Sequence, residues 1–177
     1  MYTQIEIGLA GADDVDGIAE LLAANAPSRG GNLTGEFPRA RVARWVAAPM
    51  PVVVARDAQG IVGVVFSDER SARAAPPVAA MLRAWPGGAN AYVYGPVCLA
   101  ARARGHGLLG RLYAELRRRL PGREAILFIR RDNAASLRAH ARLGMREVAS
   151  FALDGDAFAV FSDGEEGAER TRVVQPE

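Results

Sequence analysis

The sequence predicts an α/β (α+β) protein: a mixed, mostly antiparallel sheet of about seven strands, its central strand bulged, with about four flanking helices. Three observations predict it. Seven short runs rich in β-branched or aromatic residues are bounded by Gly, Pro and Asp signals. Four stretches carry apolar residues at helical spacing. A strand–helix–strand segment over 91–129 requires one parallel pair in a sheet otherwise linked by hairpins. The 177 residues suit one domain with a full core. Residues 1–163 are expected to form it and 164–177 a polar C-terminal tail.

The elements follow in order. Gln4–Leu9 reads as a strand. A helix follows with Asp13 or Asp14 as its N-cap and Val15, Ile18, Leu21 and Leu22 on one face, stopped by Pro27 and Gly30-Gly31. Asn32–Phe37 is a loop. Pro38 suits the first turn of a second helix, with Val42, Trp45 and Val46 on its face. Val52–Ala55 and Ile61–Phe66 form a hairpin around Asp57–Gly60. Residues 67–90 look irregular, with a short helix from Met81 to Trp85, and are expected to be an insertion over a site. Ala91–Leu99 is a strand interrupted by Gly95-Pro96; proline cannot donate to a ladder, so a bulge is expected there. Gly107–Leu120 is a helix with Leu108, Leu109, Leu112, Leu116 and Leu120 on its apolar face. Glu124–Ile129 is a strand, and Asn133–Leu143 a helix that the Asn133 side chain is expected to cap and Gly144 stops. Glu147–Leu153 and Ala157–Phe161 make a last hairpin around Asp154-Gly155-Asp156.

Composition excludes several classes. Half the residues are apolar and the formal net charge is only +2. The basic residues are arginines scattered without the dense stripe and interleaved aromatics of a nucleic-acid surface, so no nucleic-acid partner is expected. No apolar run reaches a membrane span, and the N-terminus lacks a signal-peptide pattern; the expected location is cytoplasmic, with no membrane partner. Cys98 is the single cysteine, which rules out an intrachain disulfide. No metal site is expected.

The strongest local signal is Arg104-Gly105-His106-Gly107-Leu108-Leu109-Gly110, which opens a helix straight after a strand. A helix N-terminus presents unpaired amides and partial positive charge. Glycines let that backbone approach a phosphate, and Arg104 adds fixed charge. A Rossmann fingerprint fails, because no acidic residue closes a following strand and the chain does not alternate βαβαβ. A Walker loop fails for lack of Gly-Lys-Ser/Thr. A bare glycine-rich turn without a ligand remains open on the loop alone.

From about Ala91 to Met145 the sequence resembles the two motifs of the GNAT superfamily of acetyl-CoA-dependent N-acetyltransferases. That family's loop is Arg or Gln, two residues, Gly, one residue, then Gly or Ala. Arg104 to Leu108 match its first five positions; Leu109 departs from the small sixth residue, and Gly110 follows. The second motif is Asn133-Ala134-Ala135-Ser136, then His140, then Leu143-Gly144-Met145. His140 stands where the family has Tyr, and Met145 where it has Phe. The motifs cover about a third of the chain.

The resemblance implies acetyl-CoA as co-substrate. Its pyrophosphate would be held by backbone at Arg104, Gly105, His106, Gly107, Leu109 and Gly110, and its arm would be met by Asn133 or Ser136. The family splays its central strand from the next one, so Val97 and Leu99 would bind pantetheine through backbone, with the Leu99 amide polarising the acetyl carbonyl. An amine would attack the thioester directly through a tetrahedral intermediate. His140 would protonate the departing thiolate, either from the charged form partly populated near neutrality or as a neutral N–H donor. Tyr94 is the preferred residue lining the acceptor end. The general base is not legible: Glu69, Asp68, Glu36 and Tyr94 all qualify. Cys98 sits between Val97 and Leu99 with no neighbouring base, which points away from a covalent acyl-enzyme.

Three functions follow: acetylation of a small amine or amino-acid-like molecule, acetylation of a peptide or protein N-terminus, or acyl-CoA sensing by a dead site. The partner is therefore a small-molecule or peptide amine, and a homodimer is allowed.

Overall fold

The structure, a computed structural model, describes residues 4–71 and 74–165. Most of the tail expected at 164–177 lies outside the described residues. The strands are β1 (Glu6–Leu9), β2 (Val53–Asp57), β3 (Gly60–Asp68), β4 (Tyr92–Leu99), β5 (Ala125–Arg130), β6 (Arg146–Leu153) and β7 (Asp156–Ser162). The helices are α1 (Val15–Ala24), α2 (Arg39–Ala47), α3 (Pro76–Ala84), α4 (Leu108–Arg119) and α5 (Ala134–Arg142). The strands hydrogen-bond in the order β1-β2-β3-β4-β5-β7-β6. The mixed, mostly antiparallel sheet of seven strands is thus as expected, with five helices instead of about four.

The chain divides into two compact units, and β4 contributes to both: Glu69–Tyr94 with Gly122 onward form one, Met1–Asp68 with Gly95–Pro121 the other. In the unit that begins at the N-terminus, β1 and β3 pair antiparallel with β2. The amphipathic spacing on α1 places Val15, Ile18, Leu21 and Leu22 against Val42, Val52, Val54, Val64, Phe66 and Cys98 in one core. Asp14 does not cap α1 with its side chain. Its carboxylate instead takes the Gly11 amide at 2.7 Å and the Arg56 guanidinium at 2.8 and 2.5 Å. On α4, Leu108, Leu112 and Leu116 are buried as expected, and Tyr113 joins them.

In the other unit, the parallel pair required by the 91–129 segment is present: Tyr92↔Ala125 and Val93↔Ile126. β7 pairs with β5 and with β6, so the last hairpin folds back and leaves β6 outermost. Asp154 and Gly155, both at positive φ (51° and 83°), make the two-residue turn such a hairpin favours. Residues 67–90 depart from expectation. They carry a nine-residue helix, α3, that starts with prolines in its first turn. Its Met81 is fully buried with Ala91, Val93, Ile126 and Val160. Val78, Met81, Leu82 and Trp85 follow helical spacing and pack this segment onto that core.

A buried carboxylate ties this segment down. Glu124 accepts hydrogen bonds from the Gly88 amide at 2.6 Å, the Ser162 hydroxyl at 2.6 Å and the Trp85 indole at 3.0 Å. Burial pushes its pKa up, but these three donors and the Arg70 charge outweigh that and hold it below the usual value. A depressed folded-state pKa gives stability that is present above the unfolded value and lost as pH falls through the folded one. Glu124→Gln is therefore expected to cost about 1.5–3 kcal/mol at pH 7, the scale of charge-assisted hydrogen bonds. The gap to wild type should narrow as pH falls below the usual carboxylate range and close once it passes the lower folded-state value. Urea unfolding at pH 7 and in acid checks it; a gap that persists unchanged in acid assigns the cost to shape alone.

Among the described residues, no helix is long and apolar enough to cross a membrane. None of their His, Cys, Asp and Glu side chains group to hold a metal ion.

Candidate functional site

The glycine loop is built by the sequence that surrounds it. β4 ends at Leu99, Ala101–Ala103 form a short 3-10 turn, and α4 starts at Leu108 with Gly107 as its N-cap. Gly105 and Gly107 lie at φ +78° and +72°, a region that side chains rarely adopt. A Cβ at either position would meet no heavy atom within 4 Å. The glycines are thus needed for backbone course, and the space beside them is open. Arg104 through Gly107 are exposed, while Leu109 and Gly110 are half-buried. The α4 first-turn amides have no intrahelical acceptors by construction. This geometry fits an anionic group approached by backbone, as the acetyl-CoA pyrophosphate requires.

Arg104 does more than supply charge. Its Nε donates to the Leu99 carbonyl at 3.2 Å and a terminal nitrogen to Asn25 Oδ1 at 2.6 Å. The arginine therefore fixes the end of β4 and binds it to the C-cap of α1. Asn25 in turn donates to the Leu21 carbonyl at 2.9 Å. Sequence reading missed Asn25; 79 residues separate it from Arg104, and no local pattern joins them.

Val97 and Leu99 are half-buried at the end of β4. Gly95 before them has φ +110°, and the Gly95–Pro96 bond is cis. Between Val97 and Leu99, Cys98 is 5% exposed and its thiol points to the Leu21 carbonyl at 3.8 Å. Burial pushes the thiol up to about 11, against a small opposing effect of Arg104. A thiol of that acidity carries almost no thiolate at neutral pH and is a poor nucleophile.

The other unit brings together four of the expected site residues. Asn133 caps α5, its side chain accepting the Ser136 amide at 3.2 Å. Ser136 and His140 lie one turn apart. His140 Nδ1 is 2.9 Å from the Ser136 carbonyl and 3.2 Å from its hydroxyl. On the far side, His140 Nε2 is 3.3 Å from the Tyr94 hydroxyl. The two rings meet edge to face, 5.6 Å between centroids at 90°. Facing a carbonyl, Nδ1 must carry the proton; two acceptors would repel. A neutral ring then offers a lone pair at Nε2, and the Tyr94 phenol donates to it.

Burial lowers the His140 pKa, with partial opposition from the Ser136 carbonyl. Burial, invisible in the sequence, therefore favours the neutral ring over the charged form. The Tyr94–His140 contact links residues 46 apart and had no sequence signal.

The expected base candidates are already engaged. Glu69 accepts two hydrogen bonds from Arg123, at 3.0 and 2.8 Å, and this guanidinium holds its carboxyl below the usual range. Asp68 accepts the Trp45 indole at 3.3 Å, and Glu36 accepts the Ser28 amide at 3.1 Å. Glu69 also lines a cavity of about 410 Å³ with Arg70, Leu82, Pro86 and Arg123. Arg70 is held there by the Pro86 and Ala89 carbonyls at 2.6 and 2.8 Å.

No protein-family model and no curated protein matches this sequence. Solved structures do match it. The yncA protein of Salmonella typhimurium, solved with its cofactor acetyl-CoA, is similar at TM-score 0.69 and 17% identity over 99% of each chain. A GNAT superfamily phosphinothricin acetyltransferase from Sinorhizobium meliloti, in complex with AcCoA, is similar at TM-score 0.67 and 21% identity, over 89% of this chain and 86% of that one. The ribosomal-protein-S18-alanine N-acetyltransferase of Escherichia coli is similar at TM-score 0.65 and 11% identity, over 90% and 92%. The chain has the fold of the GNAT acetyltransferases.

Proposed function

We propose that the chain is an N-acetyltransferase that moves the acetyl group of acetyl-CoA to a primary amine. One observation carries the reading: within this fold, two glycines in left-handed conformation lead into the N-terminus of α4 and leave its backbone open. Two solved structures of the same fold were obtained with acetyl-CoA.

Backbone amides from Arg104 to Gly110 would hold the pyrophosphate, His106 and Leu109 among them. Backbone at Val97 and Leu99 would bind pantetheine, with the Leu99 amide donating to the oxyanion. Arg104 supports that role, since its grip on the Leu99 carbonyl fixes the residue's orientation. Asn133 and Ser136 would meet the cofactor arm. Direct attack by the amine is favoured over a Cys98 acyl-enzyme by the thiol's raised pKa.

The acceptor we favour is a small amine or amino-acid-like molecule. Neighbours of the same fold are named for both classes of acceptor, phosphinothricin at 21% and 17% identity and a ribosomal-protein alanine at 19% and 11%. The test is thiol release from acetyl-CoA with a panel of amino acids, polyamines and short peptides with free N-termini. Release with single amino acids or amines supports the reading. Release with peptides alone supports the N-terminal alternative. Tight CoA binding with no release from any acceptor makes the protein a sensor.

A further inference from the structure

We propose that the cavity beside α3 binds a free α-amino acid with an apolar side chain, its carboxylate seated on Arg70 and its ammonium on Glu69. The site needs neither acetyl-CoA nor the glycine loop, so it stands apart from the acetyl-transfer reading. The residues that line it belong to one compact unit, Glu69–Tyr94 with Gly122 onward.

The cavity holds about 410 Å³, within the ~300–1,000 Å³ of small-molecule sites. Its walls differ in character. Leu82, Pro86, Ala89 and Ala91 make an apolar side, and Glu69, Arg70 and Arg123 a charged one. The terminal nitrogens of Arg70 donate to the Pro86 and Ala89 carbonyls at 2.6 and 2.8 Å. Those carbonyls flank the Gly88 amide that Glu124 holds at 2.6 Å. The guanidinium is therefore fixed before a ligand arrives, which lowers the ordering cost of binding. Among the described residues its hydrogen bonds go only to those two carbonyls, and further N–H groups of the fork remain for a ligand. A carbonyl orients a guanidinium without neutralising it, as a carboxylate would.

The charges select a zwitterion. Glu69 accepts both terminal nitrogens of Arg123, at 3.0 and 2.8 Å, and its side chain stays 60% exposed. A carboxylate accepts about four hydrogen bonds, so Glu69 can hold Arg123 and an ammonium together. A plain anion would meet the Glu69 charge, and a plain amine the Arg70 charge. A zwitterion offers one group to each and avoids both repulsions. The apolar wall takes an aliphatic side chain out of water. Arg123 holds the Glu69 carboxyl below the usual range, so it is ionised near neutrality. An ammonium bound there keeps its proton and cannot attack a thioester, which makes this a holding site and not the pose of acetylation.

L-leucine, L-leucinamide and N-acetyl-L-leucine test the site by calorimetry at pH 7 on the protein without CoA. Leucine should bind saturably. Leucinamide lacks the carboxylate and N-acetyl-leucine the ammonium. Each should bind about tenfold or more weakly, the scale of one lost charge-assisted contact. This series needs no variant to fold. Arg70→Gln should weaken leucine by a similar factor and keep CoA affinity within about threefold. Ala89→Trp, at an exposed position on the cavity wall, leaves the backbone anchor of Arg70 in place. It should fill the cavity and abolish leucine binding. No leucine binding up to about 10 mM overturns the site, as does equal binding of leucinamide or N-acetyl-leucine. Unchanged leucine affinity in folded Arg70→Gln or Ala89→Trp places the amino acid elsewhere and overturns it too. Thiol release is not read, so these results stand whatever acceptor the protein acetylates.

Discussion

Gly31→Ala should lower the melting temperature by roughly 10 °C, from a loss of about 3 kcal/mol or more, although the change adds a single methyl group. A Cβ at Gly31 would lie 1.9 Å from the Asn25 carbonyl oxygen, 2.2 Å from its carbon and 2.6 Å from its Cα. These are backbone atoms, and no rotamer relieves the overlap. The Gly31 amide also donates to the Ala26 carbonyl at 2.9 Å, and Leu33 donates to Asn25 at 3.3 Å, so the turn cannot open without losing both. Gly30 is the control. Its φ is +74°, but a Cβ there would meet nothing within 4 Å. Gly30→Ala should cost only about 1 kcal/mol, the conformational penalty alone. Thermal unfolding of the two variants decides it; equal losses would show that conformation, not contact, governs the pair. Asn25 also holds Arg104. A shifted Asn25 in a still-folded Gly31→Ala should therefore weaken CoA binding as well.

The sequence carried the parts of the fold that obey periodicity. Val15, Ile18, Leu21 and Leu22 repeat at helical spacing, and all four are in the core. The Asp154-Gly155 turn and the parallel β4–β5 pair follow from turn chemistry and from a helical crossover. The order β5-β7-β6 did not follow, since which edge a last hairpin takes depends on surfaces that neighbouring strands leave open. α3 begins at Pro76, ahead of the short helix read at Met81–Trp85, because prolines are favoured in a first turn, where their missing amides are not needed. The backbone features of the glycine loop and the Asn133 cap were legible because local residue type dictates them. The partners of Arg104, Glu124 and His140 were not. Each depends on a residue tens of positions away, and the burial of His140 and the donors around Glu124 exist only after folding.

The loop itself yields the largest expected functional effect. Gly107→Val should weaken CoA binding by about 10²-fold or more while the protein still folds. Two physical effects combine. The φ of +72° at Gly107 disfavours any side chain, and a branched one most. Strain of that kind costs ~1–3 kcal/mol, which a domain with about 5–15 kcal/mol of stability survives. The second effect is on the ligand. The open space beside Gly107 is where a Cβ and its methyl groups would stand, in the way of a phosphate held on the α4 amides as proposed. Losing one or two charge-assisted hydrogen bonds, at ~1.5–3 kcal/mol each, gives the hundredfold change. Gly122→Val separates the two. Gly122 has φ +70° and equal room, but it lies in the turn after α4, outside the loop. Both variants should lose similar stability by urea unfolding, and only Gly107→Val should lose CoA affinity by calorimetry. Unchanged CoA binding in folded Gly107→Val would remove the loop from the site. Equal CoA losses in both would trace the effect to general destabilisation.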